Sequence, residues 1–331
     1  MRLGPVLILV GLVSILTACH ADEPEIVADS PCTRSVVQFD VSSVEKLILE
    51  PENVLEDIEG FWQTDPAYRL VNKWHMANEQ PRDLDDWQER IERLRDLSPA
   101  ERERHPQLDA ARELARTEQS FVADAVPYLC SFLPPEADLS TTLFFAAEIL
   151  PAGIQVDDGI VIHILNHELL NMFVHEVFHR GHTSIDPLPE KEQGRTDQRL
   201  RMYDSIRREG IATYVGYKGR KRFPQIGKVD RSLVAGDYRL LKKKSEVRRL
   251  HAELAELLHQ ASQMKPENLR KQAWELGVKQ RAYYVVGAFM ARTIDENLGR
   301  ETLIETLSAG PSAFVTTYNG TADESMIVPA M

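Results

Sequence analysis

Between about residues 44 and 130 apolar residues recur every three or four positions, as in Trp87, Ile91, Leu94 and Leu97, or Leu108, Ala111, Leu114 and Ala115. That spacing lines one face of an α-helix, so this stretch is expected to be helical, punctuated by Pro66, Pro81, Pro99 and Pro106. Ser98-Pro99-Ala100-Glu101 has the order of a helix start, with a capping hydroxyl, proline in the first turn and glutamate at the third position. The period then changes. Residues 141–147 and 160–165 have strand character, and between them lie Pro151, Gly153 and an Asp157-Asp158-Gly159 turn, with Ile154-Gln155-Val156 as a short strand completing a hairpin. After Asn166, an N-cap residue type, Leu169, Leu170, Phe173, Val174, Val177 and Phe178 cover most of a helix circumference. Such a helix is expected to be buried and to end at Gly181. Further helices are expected over 200–217, 234–264, 266–275 and 279–297, followed by a short helical tail.

The pattern predicts an α+β chain, predominantly helical. A helical N-terminal subdomain spans residues 41–135, and a domain with a small sheet spans 136–331. Of 331 residues, 43% are hydrophobic and 27% charged, which suits a sizeable core and excludes disorder. A net charge of -12 argues against nucleic acid as a partner.

The first residues change the picture. Met1-Arg2 precedes an apolar run over 3–16 that closes on Leu16-Thr17-Ala18-Cys19. The run is too short for a comfortable membrane span. It resembles a bacterial export signal with a lipobox, which implies removal of residues 1–18 and lipidation of Cys19. Since Arg2 is the one charge in that segment, the net charge would move from -12 to -13 with the terminal amine acylated. Each buried methylene of an acyl chain contributes about 0.8 kcal/mol, and two chains suffice for stable attachment. The expectation is a cell-envelope protein held on a membrane through Cys19, with an unstructured tether over 19–40. Cys32 and Cys130 remain; an oxidising compartment would allow them to pair, although spacing alone does not establish proximity.

The chemistry lies on the apolar helix. It carries His175-Glu176-Val177-Phe178-His179, an H-E-x-x-H pattern in which the i and i+4 histidines share a face about 6 Å apart. Both imidazoles can then reach one tetrahedral zinc ion. Glu176 points off the metal axis, where it can act as a base toward water. Two histidines and a glutamate are costly to bury without partners, and a metal satisfies them together. A third ligand is needed. His182 and Asp186 are near in sequence but would have to fold back from a helix end. Six residues after the second histidine, where the extended metzincin motif needs a third, stands Ile185. Glu209 fits better, on the next helix in a stripe with Met202, Ile206 and Thr213. Gly210 and Ala212 beside it suit a close approach of that helix to the first. The alternative is pairing of Glu209 with Arg207 or Arg208.

His175-Glu176-Val177-Phe178-His179 together with Glu209-Gly210-Ile211-Ala212-Thr213-Tyr214 resembles the gluzincins, zinc peptidases with two histidines from one helix and a glutamate from the next. More narrowly, with the later Tyr284-Val285-Val286-Gly287, residues 140–305 resemble a group of bacterial proteins described as zinc-dependent peptidases. The resemblance implies a zincin-like metallopeptidase domain, one Zn2+ per chain on His175, His179 and Glu209, and Glu176 as general base. It also implies Tyr284 or Tyr283 as donor to the oxyanion. The strand over 160–165 would line the cleft and pair with an extended peptide substrate. An aromatic pair near Val285, Phe289 and Met290 is equally explained by packing. His163, His251 and His259 read as structural or solvated. Lys242-Lys243-Lys244 with Arg248-Arg249 reads as a solvated helix face, with contact to anionic lipid as the alternative. Two further functions stay open: a non-catalytic envelope scaffold on a relic fold, and a zinc hydrolase acting on another amide or an ester.

Overall fold

The computed structural model describes residues 29–77, 82–148, 153–156, 159–164, 169–186, 198–220 and 233–331. Residues 1–18, expected to be an export signal, Cys19, the 20–28 part of the expected tether, Pro81, Pro151, Asp157-Asp158 and Asn166 lie outside the described residues. The fold is a predominantly helical α+β structure around a four-stranded sheet.

The sheet has the order β1-β2-β4-β3, from β1 (Val37–Asp40), β2 (Thr141–Ala146), β3 (Gly153–Val156) and β4 (Gly159–His163). The first three strands in that order run parallel, and β3 runs antiparallel to β4. Gly159 through Ile162 are all buried, as befits an interior strand covered on both faces. The hairpin read from Ile154-Gln155-Val156 is present, with Ile154 opposite Val161. By contrast, the stretch read as tether ends before residue 40, because Val37–Asp40 pairs with β2 about a hundred residues on. Cys32 and Cys130 form a disulfide, with Cα atoms 5.8 Å apart.

Ahead of β2 run α1 (Ser42–Leu49), α2 (Pro51–Glu56), α3 (Ile58–Thr64), α4 (Pro66–Ala77), α5 (Leu84–Arg95), α6 (Pro99–Arg102) and α7 (Pro106–Cys130). Ser98 and Glu101 form a capping box on α6, as the local sequence predicts. Phe61, Trp62, Tyr68 and Trp87 make a buried aromatic cluster among these helices, mostly edge-to-face. One hydrophobic core extends from Cys32 to Val328.

After the sheet come α8 (Leu169–Ile185), α9 (Gln198–Gly219), α10 (Leu233–Leu241), α11 (Lys244–Gln260), α12 (Pro266–Ala273), a π-helical turn (Trp274–Lys279), α13 (Ala282–Leu298) and α14 (Arg300–Asn319). Three expectations fail here. Helix α8 passes through Gly181 to Ile185, because this glycine makes room rather than a cap: a Cβ on it would stand 2.5 Å from Leu139 Cδ2 and 2.6 Å from Leu133 Cδ1. The helix expected over 234–264 is two, broken where Lys243 takes an extended conformation. Helix α13 begins at Ala282 rather than residue 279, since Lys279 closes the π turn and Arg281 takes a left-handed conformation with φ 69°. Helices α8 and α9 pack together, and α9 packs most extensively on α13. Helix α9 is buried nearly all round from Met202 to Gly216, so it is the central post of this half.

Candidate metal centre

Three side chains converge where α8 and α9 pack. His175 Nε2 lies 3.1 Å from His179 Nε2, and Glu209 Oε2 lies 3.3 Å from each of them. The four-residue step on α8 sets the first distance. The second needs α9 held against α8. Among the described residues this is the one cluster of three or more His, Cys, Asp or Glu side chains whose donor atoms lie within 4.8 Å of one another.

A tetrahedral zinc ion with bonds of about 2.0–2.1 Å to nitrogen and oxygen needs donor atoms about 3.3 Å apart. A triangle with edges of 3.1, 3.3 and 3.3 Å therefore fits. The donor set agrees, since two imidazole lone pairs and a carboxylate oxygen aimed at one point are satisfied together by a cation. Electrostatics point the same way. Burial works to raise the Glu209 carboxyl, but the charge of His179 and hydrogen bonds from both histidines hold it well below the usual carboxylate range. Burial works to depress His179, yet the Glu209 carboxylate raises it overall.

Glu176 shares α8 but stands outside the triangle. A Cβ built on Gly153 would lie 3.1 Å from Glu176 Oε1 and 3.1 Å from Met172 Sδ, so the start of β3 covers the carboxylate. Burial raises its proton affinity above the ordinary glutamate range, against the charges of His175 and His179. The strand beside the centre is thus β3. The strand expected over 160–165 does not offer a free edge, because β4 is paired on both sides, with β2 and with β3; it ends at His163, and Leu165 lies outside the described residues.

The two tyrosines part company. Tyr284 stacks near His175, ring centroids 6.2 Å apart and planes at 21°. Tyr283 instead turns into the core, its ring so close to Gly277 in the π turn that a Cβ there would fall 2.2 Å from it. Of the pair, Tyr284 is therefore the one whose ring stands near His175. Two residues without a local sequence signal join Tyr284. Arg281 lays its guanidinium over the Tyr284 ring, Cζ 3.2 Å from the centroid, and donates from Nε and Nη2 to Asp237 at 2.9 and 2.7 Å. Nothing in their local spacing marks them, since Asp237 is on α10 and Arg281 ahead of α13.

The alternative partners of Glu209 are engaged elsewhere. Arg207 donates to Asp186, to Asp204 and to the Leu307 carbonyl, and Arg208 donates to Asp204 and Asp186. Asp186 is thereby tied to this network and lies 3.9 Å from His182; neither joins the triangle. Gly210 does mediate a close approach, but to α13 rather than α8: a Cβ on Gly210 would stand 2.3 Å from Gly287 Cα, and one on Gly287 would stand 2.1 Å from the Ile206 carbonyl oxygen. His251 is buried on α11 near Tyr318, while His259, Lys242, Lys243, Lys244, Arg248 and Arg249 are exposed.

A family model described as "Putative zinc dependent peptidase (DUF5700)" matches residues 58–325. No curated protein and no solved structure matches the chain.

Proposed function

The chain belongs to the DUF5700 family, and with that membership as premise we propose that it is a zinc-dependent peptidase with His175, His179 and Glu209 as the ligands of one Zn2+. The observation that carries the reading is the near-equilateral donor triangle with the Glu176 carboxylate beside it. A binding relic has no chemical need for a base at that position.

Zinc held there would supply Lewis acidity, polarising a carbonyl and lowering the pKa of water. Glu176 takes the proton of the attacking water, a role suited to a buried carboxylate with raised proton affinity. It then returns a proton to the departing amine. Tyr284, the tyrosine stacked near His175, donates to the oxyanion that develops on the scissile carbonyl. β3, as the outer strand next to Glu176, is the edge on which an extended peptide would lie.

We also propose that the protein works in the bacterial cell envelope, anchored through Cys19. The Cys32–Cys130 bond supports an oxidising compartment. Cys19→Ser should move the protein from the membrane to the soluble fraction; an unchanged distribution counts against the anchor.

Glu176→Gln leaves the three donors alone and tests the mechanism. Metal analysis of this variant should match the wild type, whereas His179→Ala should lose most of its zinc. Turnover on a mixed peptide library should fall by roughly two or more orders of magnitude in Glu176→Gln. Equal cleavage by both proteins would remove Glu176 from the reaction, and zinc without cleavage of any peptide would refute the peptidase reading.

A further inference from the structure

Arg281 stands out in three independent respects. Its backbone is in the left-handed region, φ 69° and ψ 21°, at the entry to α13. That conformation costs a side-chain-bearing residue energy that glycine would avoid. Its side chain, 16% exposed, forms a two-point ion pair with Asp237, which is 2% exposed. And its flat guanidinium lies on the Tyr284 ring. A turn alone would be served best by glycine, so the side chain is what this position retains.

The contacts form a chain. Asp237 on α10 receives Nε and Nη2 of Arg281, and two parallel hydrogen bonds fix the plane of a guanidinium, not merely its position. That plane meets the ring of Tyr284, and the ring stacks near His175. Tyr284 sits in the first turns of α13 with two aromatic torsions to settle. Arg281 lies flat against the ring that those torsions orient, and His175 stands 6.2 Å from the same ring with its plane at 21° to it. A lysine in place of Arg281 keeps the charge but has no plane.

We propose that Arg281, oriented by Asp237, is a positioning residue that holds the Tyr284 side chain in place near His175 of the His175–His179–Glu209 centre. This rests on the peptidase reading only in what the hydroxyl is for; the positioning itself is a property of the metal-free chain.

The test has two arms. In the first, 3-fluorotyrosine is placed at residue 284 and its fluorine NMR line is recorded on the full-length metal-free protein. The parent should give one narrow line, and Arg281→Lys and Asp237→Asn should both shift and broaden it; an unchanged line in Arg281→Lys overturns the proposal. Arg281→Lys keeps Asp237 paired and so should fold. Should it not, the Arg281→Gly/Asp237→Asn double variant removes both charges and the left-handed strain, and is read by the same criterion. In the second arm, Arg281→Lys should lower kcat between about tenfold and a hundredfold, the scale of a small misplacement, with KM little changed. In a Tyr284→Phe background the same substitution should add less than about twofold, because coupled residues do not act additively. Losses that multiply independently overturn the proposal. If the wild type cleaves no peptide, the peptidase reading fails, and the fluorine line alone decides the positioning.

Discussion

Gly210→Ala probes how the third donor is held. On most helices this change is favourable, since alanine exceeds glycine in helix propensity by about 0.8–1.0 kcal/mol. Here the new Cβ would stand 2.3 Å from both Gly287 Cα and its carbonyl carbon and 2.8 Å from the carbonyl oxygen. It falls about 1 Å short of ordinary van der Waals contact, and backbone atoms cannot rotate aside. Helices α9 and α13 must therefore separate locally. Overpacking typically costs about 1–3 kcal/mol, and a backbone obstacle belongs at the upper end, so net destabilisation of about 1–2 kcal/mol remains after the propensity gain. Glu209 immediately precedes the affected residue, so the carboxylate moves relative to the two imidazoles, and zinc affinity should fall by about tenfold or more. Stability is read from urea unfolding with EDTA present, which removes linkage to metal binding, and affinity from competition with a chromophoric chelator. Gly236→Ala on α10 is the internal control, because its Cβ would meet nothing nearer than Arg239 Nη2 at 4.0 Å; it should be neutral or stabilised by up to about 1 kcal/mol. A Gly210→Ala protein as stable as the parent and undiminished in zinc affinity would refute the reasoning.

Removing the disulfide as Cys32→Ser/Cys130→Ser frees a loop with 98 residues of sequence separation; in the chain-entropy account this costs about 4–5 kcal/mol, measurable as a fall in the urea midpoint. His105, His182 and His251 are each held below the ordinary imidazole value of 6.5, first of all by burial. Their neutral folded forms favour folding fully above about pH 6.5, and that stability is lost as the pH falls, because the unfolded chain then binds more protons. His251→Gln should therefore lose less stability than the parent between about pH 7.5 and about pH 5.5; comparing the two proteins isolates His251 from buried carboxylates such as Glu176, whose raised proton affinity acts with the opposite sign, and parallel pH curves would contradict the assignment. Ser98→Ala, which breaks the capping box of α6, should cost about 1 kcal/mol in thermal or urea unfolding.

Much of what depends on neighbours within about four residues is readable from the chain itself, although the break at Lys243 and the start of α13 at Ala282 are not. The i, i+4 step places His175 and His179 on one face of α8, Ser98 and Glu101 cap their own helix, and the strand character of residues 141–146 and of Ile154-Gln155-Val156 marks β2 and one arm of the hairpin. These features follow from backbone geometry that repeats every 3.6 or 2 residues, and local sequence carries it. Glu209 was legible for a different reason, since a carboxylate on an otherwise buried helix calls for a partner. Which neighbours meet across long separations was not legible. Gly181 and Gly210 read as a helix stop and as a contact with α8, yet the first admits Leu133 and Leu139 and the second admits Gly287 of α13. Glycine records that space is short but not what fills it. The pairing of Val37–Asp40 with β2, the interior place of β4 and the placing of the Tyr284 ring, rather than that of Tyr283, near His175 were likewise decided by packing. So was the meeting of Asp237 with Arg281. Sequence spacing specifies directions within an element, whereas the approach of two elements is settled by the whole core they share.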